Sequence, residues 1–194
     1  MAFGGKHNDP KKFKVPKSRV REPLEAPALY EYAVRSLGRK MRTVAELKRL
    51  MRLRVETGET GEAKMEAVIL RLKEQNYLDD ARYAADFTRL RQENERFGRR
   101  RVQQDLTQRG VHSEIISTTL DAAYADMPEA ELARKYIERK RLRKPTNDKE
   151  TARIVRRMVR AGFSINTIFS ILKTWNVEAI ALEAISETDI DNNE

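Results

Sequence analysis

The 194-residue chain has no cysteine, only two histidines and one tryptophan. Without cysteine there is no disulfide framework, no thiolate metal ligand and no thiol nucleophile, a composition that fits a reducing compartment. His7 and His112 lie far apart in the sequence, one in a basic N-terminal stretch and one beside a helix start, so no histidine cluster is available for a metal or a triad. Gly4-Gly5-Lys6 lacks the first glycine, the spacing and the Ser/Thr of a phosphate loop, and no strand precedes it. No catalytic residue, metal or cofactor is therefore expected, and the chain reads as a non-enzyme. No apolar run approaches the roughly 18 residues that cross a bilayer, and the N-terminus lacks the apolar stretch of a signal peptide. The expectation is a cytoplasmic protein with no membrane partner. Period-two alternation is missing as well, which leaves the sheet classes without support.

Charge is plentiful and uneven. Charged residues make up 36% of the chain, and 39 Lys plus Arg against 30 Asp plus Glu give a net charge of +9 and a pI of 9.8. A balance of that sign points to a polyanionic or acidic partner. The 40% hydrophobic content is enough to build packed cores over this length.

Apolar residues recur with the helical period throughout, so the fold is expected to be all-α. From Pro27, Leu29, Tyr30, Ala33, Val34 and Leu37 share a face. Thr43 with Glu46 three residues on forms a capping box for a second helix that carries Val44, Leu47, Leu50 and Met51. A third follows the turn Glu56–Gly61 and groups Met65, Val68, Ile69 and Leu72. The centre of the chain repeats the plan. Asp79 or Asp80 caps a helix with Tyr83, Phe87 and Leu90 on one face, Gly98 breaks it, and Val102 and Leu106 begin the next stripe. Gly110 ends that stripe, and a helix from Glu114 to Tyr124 turns Ile115, Ile116, Thr119, Leu120 and Ala123 inward. A third round runs from Pro128, with Leu132, Tyr136 and Ile137, then Ile154, Val155 and Met158 ended by Gly162. Ser164 then caps a helix burying Ile165, Ile168, Phe169, Leu172 and Trp175.

The pairs Leu47/Met51, Val102/Leu106 and Ile154/Met158 are equivalent positions, separated by 55 and then 52 residues. Gly110 and Gly162 each follow their pair by four residues, whereas Gly58 follows Met51 by seven, so the first unit has a remodelled turn. The organisation is a disordered basic arm (1–26), three-helix repeats over 27–78, 79–127 and 128–176, and an acidic tail (177–194) with six acids and no Lys or Arg.

Two groups of cations stand out. Arg99, Arg100 and Arg101 open a middle helix at the end whose dipole disfavours cations, so something other than helix stability selects them. Residues 129–160 hold twelve Lys or Arg against five acids. There Lys135, Arg139 and Arg143 fall at i, i+4 and i+8, and Arg153, Arg156, Arg157 and Arg160 share a face opposite Ile154, Val155 and Met158. A solvated face ordinarily mixes signs, so these rows are read as a binding surface. Asp79 and Asp80 are read as caps rather than a carboxylate pair, and the aromatics Tyr83, Phe87, Tyr136 and Trp175 as core rather than base-stacking platforms.

The order Tyr77-Leu78-Asp79-Asp80, Arg82-Tyr83-Ala84, Phe97-Gly98 and then Leu106 to Gly110-Val111 resembles the central repeat of the bacterial RecX family of RecA regulators, and the likeness runs from Pro27 to Trp175. The resemblance implies tandem three-helix repeats in an elongated, curved, right-handed array. It implies a partner, the RecA nucleoprotein filament, and inhibition of strand exchange, ATP hydrolysis and coprotease activity, hence a part in recombinational repair and the SOS response. It makes Tyr77, Leu78, Asp79, Asp80, Arg82, Tyr83, Phe97, Gly98, Leu106 and Gly110 family positions with mainly structural roles. The competing expectation is a basic helical module that binds single- or double-stranded DNA without RecA. A monomer is expected in either case.

Overall fold

Four of the nine described helices begin where a polar side chain accepts from otherwise free N–H groups. In the computed structural model, which describes residues 22–177, Thr43 accepts from Glu46 N, Asp79 from Ala81 N and Arg82 N, Asn147 from Glu150 N, and Ser164 from Thr167 N. The elements are α1 (Ala26–Arg39), α2 (Val44–Arg52), α3 (Glu59–Glu74), α4 (Asp80–Glu95), α5 (Arg99–Gln108), α6 (Ser113–Tyr124), α7 (Glu129–Lys140), α8 (Asp148–Arg160) and α9 (Ile165–Thr174), with no strand among the described residues. The basic arm up to residue 21 and the acidic tail from residue 178 lie outside the described residues. Asp79→Ala should remove the α4 cap and cost roughly 0.5–2 kcal/mol. A urea midpoint equal to the wild type's would show that water replaces the carboxylate at no cost.

Three clusters of buried side chains follow the three helix triplets. Leu29, Leu47, Met51, Met65 and Leu72 anchor the first, Tyr83, Val102, Leu106, Ile116 and Leu120 the second, and Leu132, Tyr136, Met158, Phe163, Ile168 and Leu172 the third. Phe97 and Tyr124 pack against both the second and the third cluster, and Tyr124 donates its hydroxyl to Phe97 O at 3.0 Å. Burial pushes the Tyr124 phenol well above its ordinary pKa.

The triplets join by a rule that the middle helices set. At the first seam Thr43, the N-cap of α2, donates its hydroxyl to the carbonyl of Arg109, the C-cap of α5, at 2.6 Å. At the second, Gly98, the N-cap of α5, donates its N–H to the carbonyl of Ala161, the C-cap of α8, at 2.8 Å. At both seams the N-terminus of one middle helix therefore receives the C-terminus of the next, and a donor at the N-cap meets a carbonyl at the C-cap. Gly110 (φ +76°) and Gly162 (φ +90°) take the left-handed turn that lets these ends meet, as the sequence predicts. The outer ends are closed differently. Arg54 O, just past α2, accepts from Leu24 N, and the start of α8 carries Asp148 and Glu150 in place of a following unit.

Several expectations change in detail. Glu46 does not reach back to close a capping box, because its Oε1 accepts from Arg109 Nη1 at 2.9 Å across the first seam. Leu90 does not join the inward face with Tyr83 and Phe87 but is 46% exposed, since α4 lies against α6 through Thr88 and Gln92, the latter donating to Ala123 O. Ile165 at the first position of α9 is 38% exposed, and Ile171 takes the inward place. In the first unit α2 stops at Arg52, and α3 begins at Glu59, within the expected turn Glu56–Gly61, with Gly58 at φ 106° as its N-cap.

Candidate functional site

The aspartate pair of the central motif divides its work between two helices. Asp79 caps its own helix, while Asp80 reaches across the first seam and accepts from Val44 N, a free donor in the first turn of α2, at 2.9 Å. Burial raises the Asp80 pKa, and the bond from Val44 only partly offsets it. Tyr83 is buried and stacks on Phe87, which lies beneath the guanidinium groups of Arg91 and Arg109. Leu78, Gly98 and Leu106 are buried. Tyr77, 60% exposed, and Arg82 face outward, so core packing does not explain these two.

The basic residues sort by whether a carboxylate holds them. Arg99 pairs with Asp121 at 2.7 Å, and Arg101 lies 3.0 Å from Asp105 while covering the Phe97 ring. The Arg101 Nε contact is an ion pair without hydrogen-bond alignment, since Nε has no partner by direction. What selects two of the three N-terminal arginines of α5 is thus partly internal, and Arg100 alone points out, close enough to Glu129 of α7 to favour its charged form. Lys135 pairs with Glu131 and Lys140 with Glu95. Arg139 is exposed, but Arg143 does not extend its row: Arg141 turns left-handed (φ 52°), Leu142 N bonds back to Ile137 O, and α7 ends at Lys140. Past the left-handed turn, Leu142 packs half-buried against the third core.

α8 differs. Arg153, Arg156, Arg157 and Arg160 are all exposed on one side of the helix, and none has a carboxylate within ion-pair distance among the described residues. Two residues not singled out from sequence adjoin this face: Lys149, one turn before Arg153, and Val159, 41% exposed at its edge. Lys149 carried a signal, a cation at i−4 from Arg153, whereas Val159 stands four residues after Val155, beside the apolar stripe, and carried none. A second basic cluster was also missed, Arg35, Arg39, Arg42 and Arg54 around one cleft of the first unit. It is assembled from α1, the turn after it and the end of α2, so no single helical period reveals it.

Glu129 ties the unit beneath this face together. It accepts from Ser164 N at 2.8 Å and from the Ser164 and Thr167 hydroxyls. Burial alone would raise its pKa, but these bonds, with Arg100 nearby, hold it below the ordinary value of 4.5. A depressed folded-state value means stability that is full above the unfolded pKa and lost as pH falls through the folded one. Asp80 runs the other way, its contribution falling as pH rises from 3.8 through its raised folded value. Glu129→Gln should cost roughly 1–2 kcal/mol at neutral pH and much less in acid. Melting temperatures of both proteins across the acidic range check this. A gap that stays constant as the pH drops would assign the loss to shape rather than charge.

Among the described residues no group of three or more acidic or histidine side chains could hold a metal ion, and no helix is long and apolar enough to cross a membrane.

Residues 79–120 match the family described as "RecX, second three-helix domain". Three proteins named regulatory protein RecX are similar over most of the chain. That of Caldanaerobacter subterraneus subsp. tengcongensis is 32% identical over 75% of this chain and 69% of its own length. That of Thermus thermophilus is 32% identical over 75% and 89%, and that of Vibrio campbellii 35% identical over 76% and 92%. The crystal structure of RecX from Lactobacillus salivarius superposes with a TM-score of 0.58 at 20% identity, covering 78% of this chain and 96% of the other. At that identity the superposition speaks for the fold, and the sequence relatives carry the relationship. With those relatives matched over more than two thirds of their length, this chain belongs to the RecX family of regulatory proteins.

Proposed function

We propose that this protein regulates the RecA recombinase by setting the arginine face of α8 against the RecA–DNA filament. It thereby suppresses strand exchange, ATP hydrolysis and coprotease activity, and so tempers recombinational repair and the SOS response. The observation that carries the reading is the grouping of unpaired cations. Arg153, Arg156, Arg157 and Arg160 stand exposed together on one side of a single helix, and none has a carboxylate within ion-pair distance among the described residues. Like charges gathered on one helix face repel one another, and an acidic or phosphate-bearing partner reverses that cost. Arg100, Arg139 and Arg143, all exposed, are further candidates for the same partner.

The protein acts as a single chain in the cytoplasm, without cofactor and without chemistry of its own. A second reading is favoured by the same residues, because arginine suits phosphate as well as it suits carboxylate. On it the face binds single- or double-stranded DNA and RecA plays no part. The two separate in one experiment, in which the purified protein is added to RecA, single-stranded DNA and ATP. Loss of ATP hydrolysis at substoichiometric amounts supports the filament reading. Tight binding to naked DNA with unchanged RecA turnover supports the other.

A further inference from the structure

The cleft of the first unit lies apart from the α8 face and is lined by Tyr32, Arg35, Ser36, Arg39, Arg42, Leu50 and Arg54, enclosing about 500 Å³. Its construction follows from the helices. Tyr32, Arg35, Ser36 and Arg39 fall at i, i+3, i+4 and i+7 on α1, Arg42 sits in the turn, and Leu50 and Arg54 close the other wall from α2 and the residues just after it. The backbone of Arg54 is held by Leu24 N at 2.6 Å, and its guanidinium lies 5.1 Å from the centre of the Tyr32 ring. That wall is fixed before any ligand arrives.

Four arginines line this cleft, and the one ion pair that any of them makes among the described residues is Arg35 with Glu31, at 3.9 Å with both side chains largely exposed. The Nε atoms of Arg42 and Arg54 are shut off from solvent and have no hydrogen-bond partner among the described residues. A desolvated donor without an acceptor is a cost to the fold, and so is the mutual repulsion of four cations. Neither cost is repaid within the described residues, and stability would be better served by an acid on one wall.

From this we infer that the cleft is a phosphate-binding site. Planar, permanently charged guanidinium forks converging on a small volume match the tetrahedral, multiply charged oxygens of phosphate better than a single carboxylate, which cannot engage four of them. The volume is that of a small-ligand site rather than a groove for a folded partner. The same chemistry is offered by the backbone of a nucleic-acid strand and by a free phosphate compound. The cleft's chemistry stands whether or not the α8 face meets a filament.

The test uses the full chain carrying Arg153→Glu, Arg157→Glu and Arg160→Glu, so that the α8 face does not contribute. Into that background go two further changes, Arg35→Gln with Arg39→Gln, and separately Arg42→Gln. Arg35 and Arg39 are exposed, so the first pair leaves the fold intact even if Arg42→Gln does not. Inorganic pyrophosphate binding by calorimetry and anisotropy of a fluorescein-labelled oligothymidine are measured at low salt. The expected result is an affinity about 10-fold weaker for at least one probe in the Arg35/Arg39 variant. If the oligothymidine responds, the logarithmic salt slope should also fall by about 1 to 2. A response to the oligothymidine alone assigns the site to nucleic-acid backbone, and a response to pyrophosphate assigns it to a free phosphate compound. If neither probe distinguishes the folded variant from its parent, the cleft holds no phosphate and the inference is wrong.

Discussion

Replacing Arg153, Arg157 and Arg160 together by Glu should weaken filament binding and RecA inhibition by about 100-fold at low salt while leaving a folded protein. The estimate treats each reversal as a lost attraction plus a new repulsion, about 1 kcal/mol per site at an exposed position. The fold should survive because the three side chains are exposed and support no ion pair among the described residues, so no cavity opens and no carboxylate is orphaned. A modest loss of stability is expected all the same. Arg157 and Arg160 lie in the last turn of α8, where cations suit the dipole and carboxylates oppose it, at roughly 0.3–1 kcal/mol each. Wild-type binding should weaken steeply as salt is raised, and the variant's residual binding should depend on salt far less. Circular dichroism provides the folding control, and RecA ATP hydrolysis with filament co-sedimentation at two salt concentrations provides the readout. If a folded variant inhibits as well as the wild type, this face is merely solvated and the partner surface lies elsewhere.

What the sequence foretold and what it concealed divide along the range of the interaction. Helices and their starts are local. Thr43, Asp79 and Ser164 announce caps within their own first turns, and Gly110 and Gly162 announce left-handed ends four residues after each apolar pair. The end of α7 carried no such mark, since Arg141 and not a glycine takes the left-handed turn, and Arg143 was placed on a helix that had already stopped. Tertiary choices were also hidden. Glu46 has the spacing for a capping box but finds a stronger partner in Arg109, 63 residues away. Arg99 and Arg101 looked like a free basic cluster because Asp121 comes from another helix and Asp105 lies one turn along. The α8 face was legible because α8 packs on the third core along one narrow stripe, Ile154, Val155 and Met158, and everything opposite is left to solvent. The arginine cleft of the first unit was not, because its two walls come from helices that no single period joins.

Gly98→Val should be the most damaging single substitution at the seams, costing about 3 kcal/mol or more. A side-chain carbon at Gly98 would stand 2.3 Å from the carbonyl oxygen of Gly162 and 2.6 Å from its carbonyl carbon. Those atoms are backbone and cannot rotate aside, so relief requires the α5 and α8 ends to part. Parting them breaks the bond from Gly98 N to Ala161 O and disturbs Phe97 and Tyr124, which serve two cores at once. The partner position is as tight: a Cβ on Gly162 would lie 2.3 Å from Arg101 N, and its φ of +90° is strained for any L side chain. At the first seam the equivalent of Gly98 is Thr43, which bridges with its hydroxyl instead of its N–H, so that joint tolerates a side chain where the second does not. Gly98→Ala and Gly162→Ala should therefore destabilise individually, but the double variant should lose clearly less than the sum, because the first clash has already opened the gap the second needs. Urea unfolding of the two single variants and the double variant tests this. Additive losses would mean that each glycine serves only its own turn and that the triplets are joined elsewhere.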